Sequence, residues 1–337
     1  MADTVGVGLV GAGRMGSFHA ETLHSRVPGA ALVAVADPAP DAARRLTEQL
    51  SGQAFTDPQE LVDDPHVRAV VIATPARTHA ALVVACAEAG KAVFCEKPMA
   101  LTLADADAAV AAADRAGIAL QVGFNRRFAA DFAAAREVVA SGGVGTPQLL
   151  RSVIRDPGLA DPGAVRPWTI FYETLIHDLD TLLWLNTGAQ PVDVYAVADA
   201  LVAPEFKDAG LLDTAVVVVR FDNGAIATAE ASFSAAYGYD IRGEVFGSAG
   251  MVTAGSTRTT AMQHWTADGL HAPTVRRDTD LFAAAYTAEL SHFVDCVRTG
   301  TTPQVTGADA RRALALALGC IRSVQEGRPV RLEEVEP

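Results

Sequence analysis

Val5-Gly6-Val7-Gly8-Leu9-Val10-Gly11-Ala12-Gly13-Arg14-Met15-Gly16 is the stretch that decides the fold. An uncharged, β-branched run ends at Gly11, and Gly11-x-Gly13-x-x-Gly16 then opens a segment of helical composition. Strand, tight turn and helix in that order make an anion cradle. The first glycine allows the turn, the second lets backbone approach a pyrophosphate, and the third lets helix and strand pack closely. Gly6-x-Gly8-x-x-Gly11 also fits the spacing, but it lies inside the strand with no helix behind it, so the later register is the functional one. Asp37 ends the next apolar run about 20 residues on, where a carboxylate accepts the ribose hydroxyls of a dinucleotide. Its charge disfavours the 2′-phosphate of NADP, so NAD is expected and NADP is less favoured, with Arg44 and Arg45 the cations that could reverse the preference.

Outward from this turn, strands are expected at 5–10, 31–36, 68–73, 92–95 and 118–122, separated by alanine-rich helical stretches. Strands alternating with helices imply a parallel, doubly wound sheet. After Gly123 the pattern changes. A helix is expected at 125–140, a strand at 148–154, a Pro- and Gly-rich loop at 156–167 and a helix at 170–185. Strands follow at 192–201, 214–221, 225–233, 239–246 and 251–253, with Asn223-Gly224 as a hairpin signal, and helices at 281–299 and 308–326 close the chain. The expectation is a Rossmann domain over 1–123 and an α+β domain with a mainly antiparallel open sheet over 124–337, its last helix free to pack back on the first domain.

Composition narrows the function. The 337 residues are 50% hydrophobic and carry a net charge of −13, which excludes disorder and argues against nucleic acid or an anionic membrane as partner. Cys86, Cys95, Cys296 and Cys320 have no zinc spacing and read as buried or free thiols. No basic n-region precedes the apolar 5–10 run, and no apolar stretch is long enough to span a bilayer, so a cytoplasmic protein is expected. There is no GxSxG elbow, HExxH or Walker motif to suggest a hydrolase.

Cys95-Glu96-Lys97-Pro98 closes the fourth strand. With the turn at Gly11–Gly16, Asp37, Ala73-Thr74-Pro75, His79, Gly123-Phe124-Asn125-Arg126-Arg127-Phe128, His177-Asp178-Leu179-Asp180 and the glycine-bounded run from Gly243 to Gly250, it makes the chain resemble the Gfo/Idh/MocA family of NAD(P)-dependent oxidoreductases, and within it the inositol 2-dehydrogenases. The resemblance implies substrate held between two domains and an open sheet that commonly forms the oligomer interface, with a homotetramer expected first and a homodimer second. It assigns Gly11, Gly13, Arg14, Met15, Gly16 and Asp37 to the dinucleotide. Thr74, Pro75, His79, Glu96, Lys97 and Arg126 join them by the same resemblance, and Arg127 is set on the substrate side, although sequence does not decide which arginine meets which partner.

Bare chemistry supports a catalytic set. Lys97, at the carboxyl end of a parallel strand, can orient a hydroxyl and stabilise a developing alkoxide. The imidazole of His177 suits proton transfer near neutral pH. Glu173 lies four residues earlier, on the same face if 170–185 is a regular helix, and replaces the aspartate usual in the family. A lone helical histidine is more often a packing residue, and Glu173 with His177 also has a metal-ligand spacing; no third ligand accompanies them, so no metal is expected. Asp156, Trp168, Tyr237 and Tyr286 are candidate polyol contacts. The expected activity is NAD-dependent oxidation of a secondary hydroxyl of a cyclic polyol, myo-inositol first. The alternatives are scyllo-inositol, another inositol isomer or an aldose, and, from a different class, a catalytically silent NAD-binding regulator, which would need neither Lys97 nor His177.

Overall fold

A computed structural model describes residues 4–158 and 166–335 and divides the chain into two compact units. The first comprises residues 1–128 and 284–312, the second residues 129–283 and 313–337. The first unit therefore ends its initial run after Phe128 rather than after Gly123 and regains a segment from late in the chain. That segment contains the helix before the last, and the last helix itself is divided between the units. Long-range packing decides this, and local sequence does not carry it.

In the first unit, strands β1 (Val5–Val10), β2 (Ala30–Ala36), β3 (Gln53–Phe55), β4 (Ala69–Ile72), β5 (Ala92–Cys95) and β6 (Leu120–Val122) alternate with helices α1 (Arg14–Arg26), α2 (Pro40–Leu50), α3 (Pro58–Asp63), α4 (His79–Glu88) and α5 (Leu103–Ala116). All pairings are parallel, in the order β3-β2-β1-β4-β5-β6. This is the doubly wound order whose switch point lies beside β1. β1, β4 and β5 are buried along their whole length, as strands covered on both faces must be. β3 is short and has no apolar alternation, and the sequence reading passed over it.

In the second unit, α6 (Ala130–Ala140) and β7 (Pro147–Arg155) precede a π-helical turn, Ile170–Leu175, that runs directly into α7 (Ile176–Leu185). Then come β8 (Pro191–Asp199), β9 (Thr214–Phe221), β10 (Ile226–Ser232), β11 (Asp240–Gly247), β12 (Gly250–Ser256), the small hairpin β13 (His264–Thr266) and β14 (Gly269–His271), and α8 (Asp278–Leu281). α9 (Ala283–Thr299) and α10 (Gly307–Glu326) follow, and β15 (Val330–Arg331) adds to the edge of the sheet. The sheet order is β12-β11-β7-β10-β9-β8-β15, antiparallel except for β7 with β10. The expected 156–167 loop falls partly outside the described residues.

The first unit's core joins Leu9, Val71 and Phe94 from the sheet to Ala20 and Leu23 of α1 and to Leu290, Phe293 and Val294 of α9. Burying each large side chain stabilises the unit by about 1.5–3 kcal/mol, and this holds α9 to a sheet made almost 200 residues earlier. The four cysteines are buried and free; desolvation pushes the Cys86 thiol up to about 12, although Lys91 opposes the shift, and leaves it unreactive. Among the described residues no helix is long and apolar enough to cross a membrane.

Candidate active site

The β1–α1 turn has the geometry of a phosphate cradle. Gly11 sits at φ +97°, and a Cβ there would meet the Ala73 carbonyl at 2.6 Å; a Cβ on Gly16 would meet the Gly11 oxygen at 1.8 Å. At Gly13 a Cβ would meet nothing within 4 Å, so this backbone stands open to a ligand. α1 begins at Arg14 with no side-chain cap and no acid in its first turn, leaving its N-terminal N–H groups for an anion. Asp37 follows β2, with Oδ2 accepting from Ala12 N at 2.7 Å and Oδ1 from Ala39 N at 2.8 Å. Each oxygen keeps a lone pair for a ribose hydroxyl. Arg44, one of the two cations that could welcome a 2′-phosphate, is paired with Asp41 on the exposed face of α2, and Arg45 beside it is exposed. These residues fit an NAD dinucleotide.

At the ends of β4 and β5 the chain forms two linked loops. Thr74 Oγ1 hydrogen-bonds Thr78 Oγ1 at 2.7 Å. His79 is buried, its Nε2 at 2.8 Å from the Thr74 carbonyl and its Nδ1 at 2.8 Å from that of Pro98. The imidazole expected near the dinucleotide thus spends both nitrogens bracing these loops. Pro75 is exposed between them. Glu96 is buried; its Oε1 lies 2.7 Å from His19 Nε2, and its Oε2 accepts Lys97 N at 3.2 Å. Burial alone would raise the Glu96 carboxyl, but the hydrogen bond and charge of His19, with Lys97 and His79, hold it below the ordinary carboxylate range. Lys97 is half-buried beside this anion, and its bond to Pro98 is cis.

Arg126 and Arg127 lie in a short 3₁₀ turn, Asn125–Phe128, both nearly fully buried. Helix begins only at Ala130, so the single helix expected over 125–140 is broken. Arg127 Nη2 is 3.4 Å from Asp309 Oδ1 in the same unit. Asp309 also accepts from Thr306 at the start of α10 and from Arg312. Burial would raise its carboxyl, yet Arg127 and these hydrogen bonds hold it low.

In the second unit His177 is half-buried in the first turn of α7 and Glu173 is exposed on the π-helical turn before it. A spacing of four does not stack side chains across a π turn as it does in an α-helix, so the expected shared face is altered. Such turns occur often at functional sites. Trp168, just upstream, holds φ +64°, a strained conformation for a bulky side chain, and its ring lies 6.4 Å from that of Phe171. Asp156 follows β7, its N–H donating to the Ser232 carbonyl.

Two tyrosines change reading. Tyr237 donates to Asp240 Oδ2 at 2.7 Å, within a network where Arg155 meets Glu230 at 2.7 Å and Asp240 at 3.4 Å. Its hydroxyl is engaged by the sheet. Tyr286, grouped by sequence with the second domain, belongs to the first unit, edge-on to Phe18 at 5.2 Å and to His19 at 5.9 Å. His19, on which no sequence motif falls, is the side chain that pairs with Glu96. Its place on the first turns of α1, behind a glycine cradle, was the available signal. Among the described residues no cluster of three or more His, Cys, Asp or Glu could hold a metal.

Known proteins align with this arrangement over its whole length. Residues 5–124 match the oxidoreductase family profile GFO_IDH_MocA, NAD-binding Rossmann fold, and residues 132–253 match the GFO/IDH/MocA C-terminal domain. A myo-inositol 2-dehydrogenase of Thermotoga maritima is 39% identical, with 98% of this chain and 99% of that protein covered. A scyllo-inositol 2-dehydrogenase (NAD(+)) of Bacillus subtilis is 35% identical over 99% of this chain and 98% of that protein. The crystal structure of scyllo-inositol dehydrogenase from Lactobacillus casei with bound NAD(H) and scyllo-inositol superposes with a TM-score of 0.94 at 25% identity, covering 98% of this chain and 99% of that one.

Proposed function

The chain belongs to the Gfo/Idh/MocA family of oxidoreductases with an NAD-binding Rossmann fold, and on that premise we propose that it oxidises one secondary hydroxyl of a cyclic polyol, myo-inositol first, to the ketone. The observation that carries the reading is Lys97, set beside the buried carboxylate of Glu96 at the carboxyl end of β5, in the same sheet whose β1–α1 turn cradles a dinucleotide. NAD, when bound, takes the hydride at its nicotinamide.

The protein's own groups handle the proton. Lys97 orients the reacting hydroxyl and offsets charge as the alkoxide develops. His177 accepts the hydroxyl proton, so the carbinol loses a hydride to the cofactor and a proton to the imidazole, leaving the ketone. Glu173 acts on His177 or on a neighbouring hydroxyl, and Arg127, Asp156 and Trp168 fix the ring, with Arg126 on the cofactor side. Gly11, Gly13, Arg14, Met15 and Gly16 hold the pyrophosphate, with Thr74 and Pro75 beside the nicotinamide ribose. Scyllo-inositol is the second substrate, favoured by the similarity to enzymes named for it.

The outward face of the second sheet is proposed as the subunit contact of a homotetramer, or failing that a homodimer. Tyr195, Val197, Val216, Ile226, Leu149, Phe246 and Met251 are exposed there, on cross-strand neighbours. They form two apolar clusters, Tyr195, Val197 and Val216 in one and Leu149, Ile226, Phe246 and Met251 in the other, separated by the ion pairs Arg151–Glu230 and Arg220–Asp193, a mixture of exposed apolar patches and charge that suits an association surface. The enzyme is proposed to work in the cytoplasm.

Isotope transfer tests the reaction. With myo-inositol deuterated on the reacting carbon, the label is expected in the nicotinamide of NADH, and the polyol is expected to leave as its ketone. Label released to solvent would rule out direct hydride transfer.

A further inference from the structure

The interior of the first unit holds polar groups that the proposed reaction does not use. α9 lays Tyr286, Leu290 and Phe293 into the core, and on the same buried face it carries Glu289, which has no exposed surface. Neither carboxylate oxygen of Glu289 has a hydrogen-bond partner among the described residues. Its main-chain carbonyl accepts instead from Gln121 Nε2, at 2.8 Å. His19 Nδ1 and Gln121 Oε1 are likewise buried and without a partner, while His19 gives its other nitrogen to Glu96. An acid on the apolar stripe of a helix, facing a second acid whose histidine is already engaged, is an arrangement that packing alone disfavours: leucine, of similar size, would fill the space without an unpaired carboxyl.

We propose that Glu289 is a positioning residue: its buried carboxyl, without a partner among the described residues, forms the polar wall behind the Glu96–His19 pair and keeps Glu96 in place next to Lys97. Burial, and then the negative charge of Glu96, push Glu289 well above the ordinary carboxylate range, while Glu96 is held below it. Tyr286, one turn before Glu289, lies edge-on to His19 of α1 at 5.9 Å, and Phe293, one turn after it, lies edge-on to Phe94 of β5 at 5.9 Å, so the stripe that carries Glu289 packs against α1 and the end of β5, which Glu96 follows. Gln121 of β6 bonds its main chain, and Lys97 and His79 act on Glu96 from the adjoining loops. An ionised Glu289 would oppose the charge of Glu96, whereas a neutral one supplies a dipole without that opposition. The inference rests on the reading of Lys97 as the residue that orients the substrate hydroxyl.

Two measurements test it. Infrared difference spectra of the protein without cofactor, at neutral pH, are expected to show a protonated-carboxyl C=O band that is lost in Glu289→Gln. In Glu289→Leu the pocket around Glu96 becomes less polar, so the acid limb of kcat/KM with NAD and myo-inositol is expected to move to higher pH by about half a unit or more, while the melting temperature rises. Glu289→Gln, which keeps a dipole, is expected to retain the wild-type profile. Absence of the band, or a Glu289→Leu profile superimposed on that of the wild type, would overturn the proposal. Inactivity of the wild-type protein on every polyol would overturn the positioning role through the functional reading. The band needs no substrate, so the two failures stay distinguishable.

Discussion

The two sheets of this protein use opposite rules. In the first unit β1, β4 and β5 are buried from end to end, so both faces are given to packing and chemistry is confined to the turns at the strand ends. In the second unit β9 and β10 alternate buried and outward residues, which leaves a whole face for another surface. A sheet covered on both sides holds a cofactor on its rim. A sheet covered on one side offers area for association, and the residues proposed for its chemistry lie on the helix beside it, at the junction of the π turn and α7.

Substitutions at the rim should have the largest effects. Lys97→Ala and His177→Ala are each expected to lower kcat by about 10²–10⁴ while NAD affinity, measured by fluorescence titration, changes little. Equal losses in kcat and NAD affinity would move these residues from chemistry to cofactor binding. Within the cradle, Gly16→Ala must displace the Gly11 carbonyl and is expected to cost about 2–4 kcal/mol of stability together with NAD binding. Gly13→Ala adds a methyl to open space and should leave thermal stability within about 1 kcal/mol while weakening NAD alone. Comparable melting temperatures for the two variants would break the assignment of the turn.

Smaller effects separate the rim from the face. Asp37→Ser is expected to reduce the preference for NAD over NADP by about tenfold or more, measured as a ratio of kcat/KM values. Val216→Asp, on the outward face, should lower the mass seen by light scattering and leave NAD affinity unchanged; an unaltered mass would place the subunit contact elsewhere. Asp309→Asn removes the carboxylate that Arg127 faces. Because the Asp309 carboxyl is held low in the folded state, its contribution is complete above the unfolded carboxylate value and is lost as pH falls through the lowered folded one. The variant should therefore melt a few degrees lower at pH 7, and the gap should close below about pH 4.

The turn at Gly11–Gly16, Asp37 and the Glu96-Lys97 pair were legible because each depends on a few contiguous residues whose spacing has one steric meaning. Other features depend on distant packing. Nothing near residues 284–312 says that they rejoin the first unit, since Leu290 and Phe293 would suit any apolar surface. The π turn at Ile170–Leu175 has the composition of an ordinary helix, and its extra residue per turn altered the expected pairing of Glu173 with His177. Tyr237 could be placed near a strand end, but its engagement was hidden because the register of β7 with β11 sets Arg155 opposite Asp240, the carboxylate to which the Tyr237 hydroxyl donates. Glu289 did leave a trace, as the one acid among Tyr286, Leu290 and Phe293 on a helical stripe.

The most direct test of the central claim is NADH formation by purified protein across the inositol stereoisomers and simple aldoses, with NAD and NADP compared. The account expects rapid reduction of NAD by myo-inositol or scyllo-inositol and little with NADP or the aldoses. No NADH with any inositol, in protein that still binds NAD, would contradict it.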